Sequence, residues 1–219
     1  EMNEIIFYIT ISFIWWQILS SVAISAGYHR YFTHQSYTAP VWYEYIVLLL
    51  GPLSGSGHVL GWAGVHRMHH AFSDTEEDPH SPKYKGFWKV FLSTFKVPYI
   101  PRKFVRDLLR NKRVMFFYRH HNKIRLGSFL VGLILLPIEW FIIIFITPVL
   151  SGYLGFGLIN AMCHKNGVVR NSWIANIFTG GEGWHVNHHE NSKDWRIGKT
   201  WWQWDPGAWI IKLIKVKNV

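Results

Sequence analysis

A single cysteine, Cys163, stands in a chain of 219 residues, which excludes a disulfide framework and a cysteine-rich metal site. Acidic residues are scarce too: 13 Asp and Glu face 23 Lys and Arg, for a formal charge of +10. Charged residues of both signs make up 16% of the chain, against about 25% in a typical soluble domain, so solvating groups are in short supply. There is no internal repeat and no basic leader with a cleavage site that would mark a secretory signal. What fills the chain instead is hydrophobic sequence, 49% of residues, gathered into runs. The length fits a single domain spanning 1–219.

Thirteen of the 23 Lys and Arg fall between Lys83 and Arg125. Such a basic stretch suits a nucleic-acid surface, or a cytosolic segment of a membrane protein, where Lys and Arg collect. The uncharged runs on either side favour the second and argue against a nucleic-acid partner. Residues 5–27 carry no charge and, as a helix, would span about 34 Å, enough to cross a hydrocarbon core of about 30 Å. Residues 126–163 hold one charge, Glu139, and are long enough for two crossings with a turn near 139–148. The run at 41–57 is short and Gly-rich, and reads as interfacial or re-entrant. The expected fold is an all-α integral membrane protein with a cap built from 58–125 and 164–219. Every one of the 13 histidines then lies on one side of the membrane, and the Lys/Arg excess puts that side in the cytosol, of the endoplasmic reticulum or of a bacterial inner membrane.

The histidines are patterned. HRYFTH supplies His29 and His34; HRMHH supplies His66, His69 and His70; NAMCH ends in His164; HVNHH supplies His185, His188 and His189. In H-x2-H-H, positions i, i+3 and i+4 share one helix face within an arc of about 100°, so the spacing predicts three converging imidazoles. Neutral imidazole suits iron, zinc, copper and nickel. H-x4-H is weaker, since i and i+5 lie about 140° apart on an α-helix, and the pair meets only if the helix ends or bends between them. Nine histidines exceed one ion's capacity, and the boxes hold neither cysteine nor carboxylate, so a nitrogen-rich two-metal centre is predicted. His58, His80, His120 and His121 read as ordinary polar or interfacial residues.

These boxes, with SDTEEDPHSP after the second and GEGW before the third, resemble the membrane-bound fatty-acyl desaturases of the stearoyl-CoA delta-9 type, in order and spacing over residues 5–211. The resemblance implies a mushroom-shaped helical membrane protein with two iron ions held almost wholly by histidine. It implies O2 as co-substrate and insertion of a cis double bond, of delta-9 type, into a saturated fatty-acyl chain. The iron ligands it implies are His29, His34, His66, His69, His70, His164, His185, His188 and His189, with Asn160 reaching one metal through water. No haem or flavin motif is visible, so electrons are expected from a separate donor of cytochrome b5 or ferredoxin type.

The family usually carries a further helix ahead of the one expected at 5–27. Animal acyl-CoA enzymes carry Arg-Asp where Gly64 and Val65 stand, and often an Arg and a Lys where Gln35 and Thr38 stand. The acyl carrier therefore stays open among CoA, a membrane lipid and acyl-carrier protein. Trp62 and Trp184, each just before a histidine box, are candidates for the wall of an acyl tunnel. Glu182, Asp74 and Asp78 are candidates to hold the outer nitrogens of metal-bound rings, because such histidines usually donate their second N–H outward. Two other functions compete. A related hydroxylase or conjugase uses similar boxes, whereas a metal transporter tends to place its ligands within the spans, which here are nearly free of them.

Overall fold

The computed structural model describes residues 2–218, and the chain is helical almost throughout. Its first helix, α1 (Met2–Thr33), is 32 residues long and apolar enough to cross a membrane. The first half turns Ile5, Phe7, Ile9 and Phe13 outward. The second half, Ser20–Thr33, is almost entirely buried and wound as a π-helix, with backbone bonds from residue i+5 to residue i; the last joins His34 N–H to His29 O at 3.0 Å. Small side chains in this half (Ser20, Ser21, Ala23, Ser25, Ala26) let neighbouring helices approach closely, and its Ile24 and Tyr28 join Val47, Val59, Phe156 and Ile211 in the core.

Two shorter helices follow, α2 (Val41–Leu50) and α3 (Val59–Phe72). The run Val41–Ser54 meets α3 at a bend of 80°, giving a broken element rather than a straight span. His58 caps α3 by accepting the Gly61 N–H at 2.9 Å, the ordinary structural task its place in a Gly-rich turn suggested. The chain then runs through α4 (Phe87–Leu92) to α5 (Lys112–Leu135) and α6 (Ile138–Gly167), the second helix long and apolar enough to cross. The turn between α5 and α6 falls at Leu136 and Pro137, ahead of the expected 139–148. The reason is local: Leu136 precedes a proline and is held extended (ψ 145°), which ends α5. Pro148 does not break α6, because a wide π-type turn at Ile142–Ile146 absorbs it.

The C-terminal part adds α7 (Trp173–Ile177), α8 (His185–Glu190) and α9 (Pro206–Ile214). Asp205 caps α9 by accepting the Ala208 N–H at 3.0 Å, with Pro206 in the first turn. Strand structure among the described residues is limited to Tyr37–Thr38 paired antiparallel with Lys217–Asn218. The protein is thus an all-α integral membrane protein, with two helices able to cross, or three if the bent pair counts as one. His29 and His34 lie at the end of α1 and His164 near the end of α6, while the two H-x2-H-H boxes lie on α3 and α8.

Candidate metal centre

Four elements bring the nine histidines together, and they do so in two groups. In the first, one ring nitrogen each from His29, His34, His66, His70 and His188 lies within 4.8 Å of the others; in the second the same holds for His69, His164, His185 and His189. The H-x2-H-H boxes therefore do not converge as threes. On α3 the i, i+4 pair His66 and His70 serves the first group (Nε2 atoms 3.1 Å apart), and His69 turns to the second. On α8 the division is reversed: His185 and His189, 3.2 Å apart, serve the second, and His188 joins the first. Residues i and i+4 stack one turn apart with little angular offset, whereas i+3 leans to the other side, so a single helix feeds two centres.

The weak H-x4-H pair is rescued by helix geometry. The helix widens between His29 and His34 and ends at Thr33, with His34 as its C-cap. In a π-helix, hydrogen bonding joins i to i+5, which lays those residues over one another, and the two rings sit 4.8 Å apart. His164 comes from the end of α6, beyond its last regular turn at Met162, with its Nε2 3.1 Å from that of His69 and 3.0 Å from that of His185. α8 is pinned on its outer face by Asn187, whose amide donates to Ile197 O at 2.9 Å.

Three carboxylates reach the outer nitrogens. Asp78, fully buried, lies 3.0 Å from His69 Nδ1 and also accepts the backbone N–H groups of Asp74 and His80. Asp74 lies 3.1 Å from His164 Nδ1, and Glu182 lies 2.5 Å from His29 Nδ1. Gly181, at φ +112°, makes the turn that delivers Glu182 inward, a backbone state that disfavours any residue with a Cβ. Burial works to raise the Glu182 carboxyl, but His29, Arg30 and the Ser25 hydroxyl hold it below its ordinary value. Burial, followed by the neighbouring imidazoles, holds His185, His188 and His189 below the usual histidine range, so these rings are neutral.

This donor set tests whether a metal fits. A ring that donates Nδ1–H to a carboxylate presents a bare lone pair at Nε2. His69 and His164 each place Nδ1 against a carboxylate, the arrangement that favours this tautomer, and their Nε2 atoms face each other at 3.1 Å. Lone pairs opposed at that distance, with no proton between them, repel; a cation among them turns the repulsion into ligation. The nine nitrogens fit two transition-metal ions.

A narrow cavity of about 50 Å³ reaches both groups: His29 and His66 of the first and His185 of the second line it. The exposed surface of its wall is otherwise mainly apolar (Trp62, Phe95, Val97, Phe156, Ile159). Trp62 stacks on His66 (5.1 Å, 23°) and meets His29 edge-on. Trp184 is elsewhere. It is buried between Trp173 and Trp202 and donates its indole N–H to Trp204 O at 2.9 Å, so its place is under α8 rather than in the cavity wall. Asn160 lines the cavity and donates to the Thr94 hydroxyl at 2.6 Å.

Sequence reasoning missed Arg30, Asp205 and His80. Arg30 is buried with a paired charge on either side: Asp205 at 2.7 Å and Glu182 at 3.2 Å. Its signal was available, as the only charge in the stretch 20–33. His80 reads in the sequence as an ordinary polar residue, but it is buried in the cavity wall, and burial pushes it down to about 4. Neither His80 nor His58, His120 and His121 belongs to either group.

Fold and site together define a helical membrane protein with a double histidine centre opening on an apolar cavity. Residues 6–206 match the sequence profile of a family described as fatty acid desaturase. The chain is similar to the sn-1 stearoyl-lipid 9-desaturase of Synechocystis sp., 36% identical over 94% of this chain and 68% of the relative. It is similar to delta-9 acyl-lipid desaturase 2 of Arabidopsis thaliana, 33% identical over 96% of this chain and 74% of the relative. With the sn-1 stearoyl-lipid 9-desaturase of Anabaena variabilis it shares 31% identity over 91% of this chain and 77% of the relative. The chain belongs to the fatty acid desaturase family, and the protein is an oxidoreductase acting on fatty-acyl chains.

Proposed function

We propose that this enzyme introduces a cis double bond at the delta-9 position of a saturated acyl chain carried by a membrane lipid, with its site facing the cytosol. The observation that carries this reading is the apolar cavity whose inner wall holds histidines of both groups. The nine histidines are the metal ligands in this reading, and Glu182, Asp74 and Asp78 fix their outer nitrogens. Asn160, whose amide N–H is engaged by Thr94, keeps its carbonyl oxygen free to accept from an intervening water. Two iron ions, when bound, supply O2 activation and hydrogen removal, with electrons from an external donor of cytochrome b5 or ferredoxin type.

The chain's own residues set the conditions. The three carboxylates hold His29, His69 and His164 in the tautomer that directs Nε2 inward. Trp62, flat against His66, and Phe156 exclude water and hold a straight segment of acyl chain beside the rings. An acyl-CoA or acyl-carrier substrate is the alternative, and Gly64 argues against the first. A Cβ there would sit 2.8 Å from Ile100 and from Val105, so the Arg that animal acyl-CoA enzymes carry at this position has no room. Gln35, where a cation often stands, is instead tied to Asp107 at 2.7 Å, and Asp107 in turn pairs with Arg67 at 2.6 Å.

The test is expression in a membrane host lacking its own desaturase, with fatty-acid profiling and a His66→Ala control. A new monounsaturated chain in lipid, absent from the control, is the expected result. A hydroxylated product would move the assignment to the sister hydroxylases, and no product with a competent donor would end the desaturase reading.

A further inference from the structure

Of the residues lining the cavity only Lys96 and Val97 are exposed, so it opens beside the stretch that follows α4. This stretch is stitched along α6. The Tyr153 hydroxyl donates to Leu92 O, and Asn160 donates to the Thr94 hydroxyl, so residues 92–94 climb along α6 from its lipid-facing half toward His164. Residues 153 and 160 are about 10 Å apart along a helix. On the same flank of α6, Leu150 and Leu154 are exposed. The outward residues of α4 and its sequel are large and apolar as well: Trp88 is 70% exposed, Leu92 65% and Tyr99 85%. Lys89 and Lys96 are exposed among them. In water such a patch would be costly, and its continuity with the lipid-facing surface of α6 names what covers it.

We propose that α4 and residues 93–99 lie within the headgroup layer and form a lateral doorway, through which an acyl chain passes from the bilayer into the cavity while still attached to its lipid. The proposal rests on the acyl-lipid reading above. Lys96, at the doorway and exposed, takes the lipid phosphate, its stem along apolar surface and its ammonium at headgroup depth. With the headgroup fixed at Lys96, the reacting carbons are counted from the ester end of the chain.

The test uses the full chain in vesicles of phosphatidylcholine and phosphatidylglycerol in equal parts. Cys163 is fully buried, so an environment-sensitive fluorophore on a Val97→Cys variant reports that position cleanly. An Arg196→Cys variant, on the charged side of the cap beside Asp194, is the aqueous reference. Lipids brominated near the carboxyl end of the acyl chain should quench the probe at position 97 at least about threefold more than the reference, and iodide should do the reverse, as expected for a segment buried 5–10 Å deep. Equal quenching by iodide at both positions would overturn the doorway. If Val97→Cys does not fold, Trp88→Cys reports the same surface. This measurement needs no turnover, so it stands apart from the desaturase reading, which fails only if the wild-type chain makes no double bond. Lys96→Glu should lower desaturation in anionic lipid about tenfold and Lys96→Arg should restore it, at unchanged metal content, since like charge repels where a cation attracted. Equal rates for wild type and Lys96→Glu would remove the headgroup role.

Discussion

The two histidine groups are alike in chemistry and unlike in how they are held. The first is braced from a distance. His29 leans on Glu182, which pairs with Arg30, which pairs with Asp205 at the start of α9, so three separate parts of the chain meet in buried charge. The second is braced locally. Asp74 and Asp78, five residues of one loop, hold His164 and His69, and Asp78 ties the loop's own backbone through two N–H groups. The difference teaches that donors of one kind can be part of the folding core in one centre and a detachable clip in the other.

The largest effect should therefore come from the first group. Glu182→Ala strips one partner from a buried guanidinium and the acceptor from His29 Nδ1. Breaking a buried pair costs about 3–5 kcal/mol, and because Asp205 still faces Arg30 the low end, about 3 kcal/mol, is expected. Differential scanning fluorimetry in detergent should show a clear fall in thermal midpoint, with loss of folded yield. An unchanged midpoint would break the comparison, since the first group would then be no more part of the core than the second.

Asp78→Ala comes next. It removes the acceptor for His69 Nδ1 and for two backbone N–H groups, at about 1–3 kcal/mol, confined to the 73–80 loop. Loss of such an outer partner typically weakens metal binding 10–100-fold. Metal per chain, measured during a chelator titration, should fall in two steps, with the second group emptied first. Simultaneous loss from both groups would show that they act as one unit.

How far these distinctions could be read in the sequence depends on the range of the forces involved. The helical class and the gathering of the boxes' histidines were legible, because imidazole spacing and uncharged runs are local features. The split of each H-x2-H-H box between two groups was not, because i, i+3 and i+4 look equivalent until a second helix faces them. Nor was the π-helix that joins His29 to His34: a run of small residues permits it but does not announce it. Trp184 was misplaced for a similar reason. A tryptophan beside a histidine box suits a tunnel wall or a packed layer equally, and what decides is Trp173 and Trp202, distant in sequence or exposed. Arg30 and Asp205 are 175 residues apart, and no pattern links them before folding.

Trp184 also sharpens the comparison, because it supports α8, which feeds both groups. Trp184→Phe removes an indole N–H bond and part of a packed ring at about 1–2 kcal/mol, and both groups should lose metal together with the double-bond position unchanged. Trp62→Ala, in the cavity wall, should do the opposite: metal content holds while the product's bond position spreads. Gas chromatography with mass spectrometry of the lipid acyl chains separates the two.

The smallest effect isolates charge from shape at the second group. Asp74 stands at φ +59°, a left-handed state that Asn adopts as readily as Asp and other side chains resist. Asp74→Asn therefore keeps the turn and still offers an oxygen to His164 Nδ1, losing only the negative charge behind the ring. A neutral acceptor makes a hydrogen bond about half as strong as a charged one. Metal affinity of the second group should fall less than about tenfold, with the thermal midpoint unmoved. Asp74→Val removes the acceptor and adds left-handed strain of about 1–2 kcal/mol, so it should approach Asp78→Ala in its effect on metal. If Asp74→Asn already matches Asp78→Ala, the charge rather than the turn holds His164, and the clip is electrostatic before it is geometric.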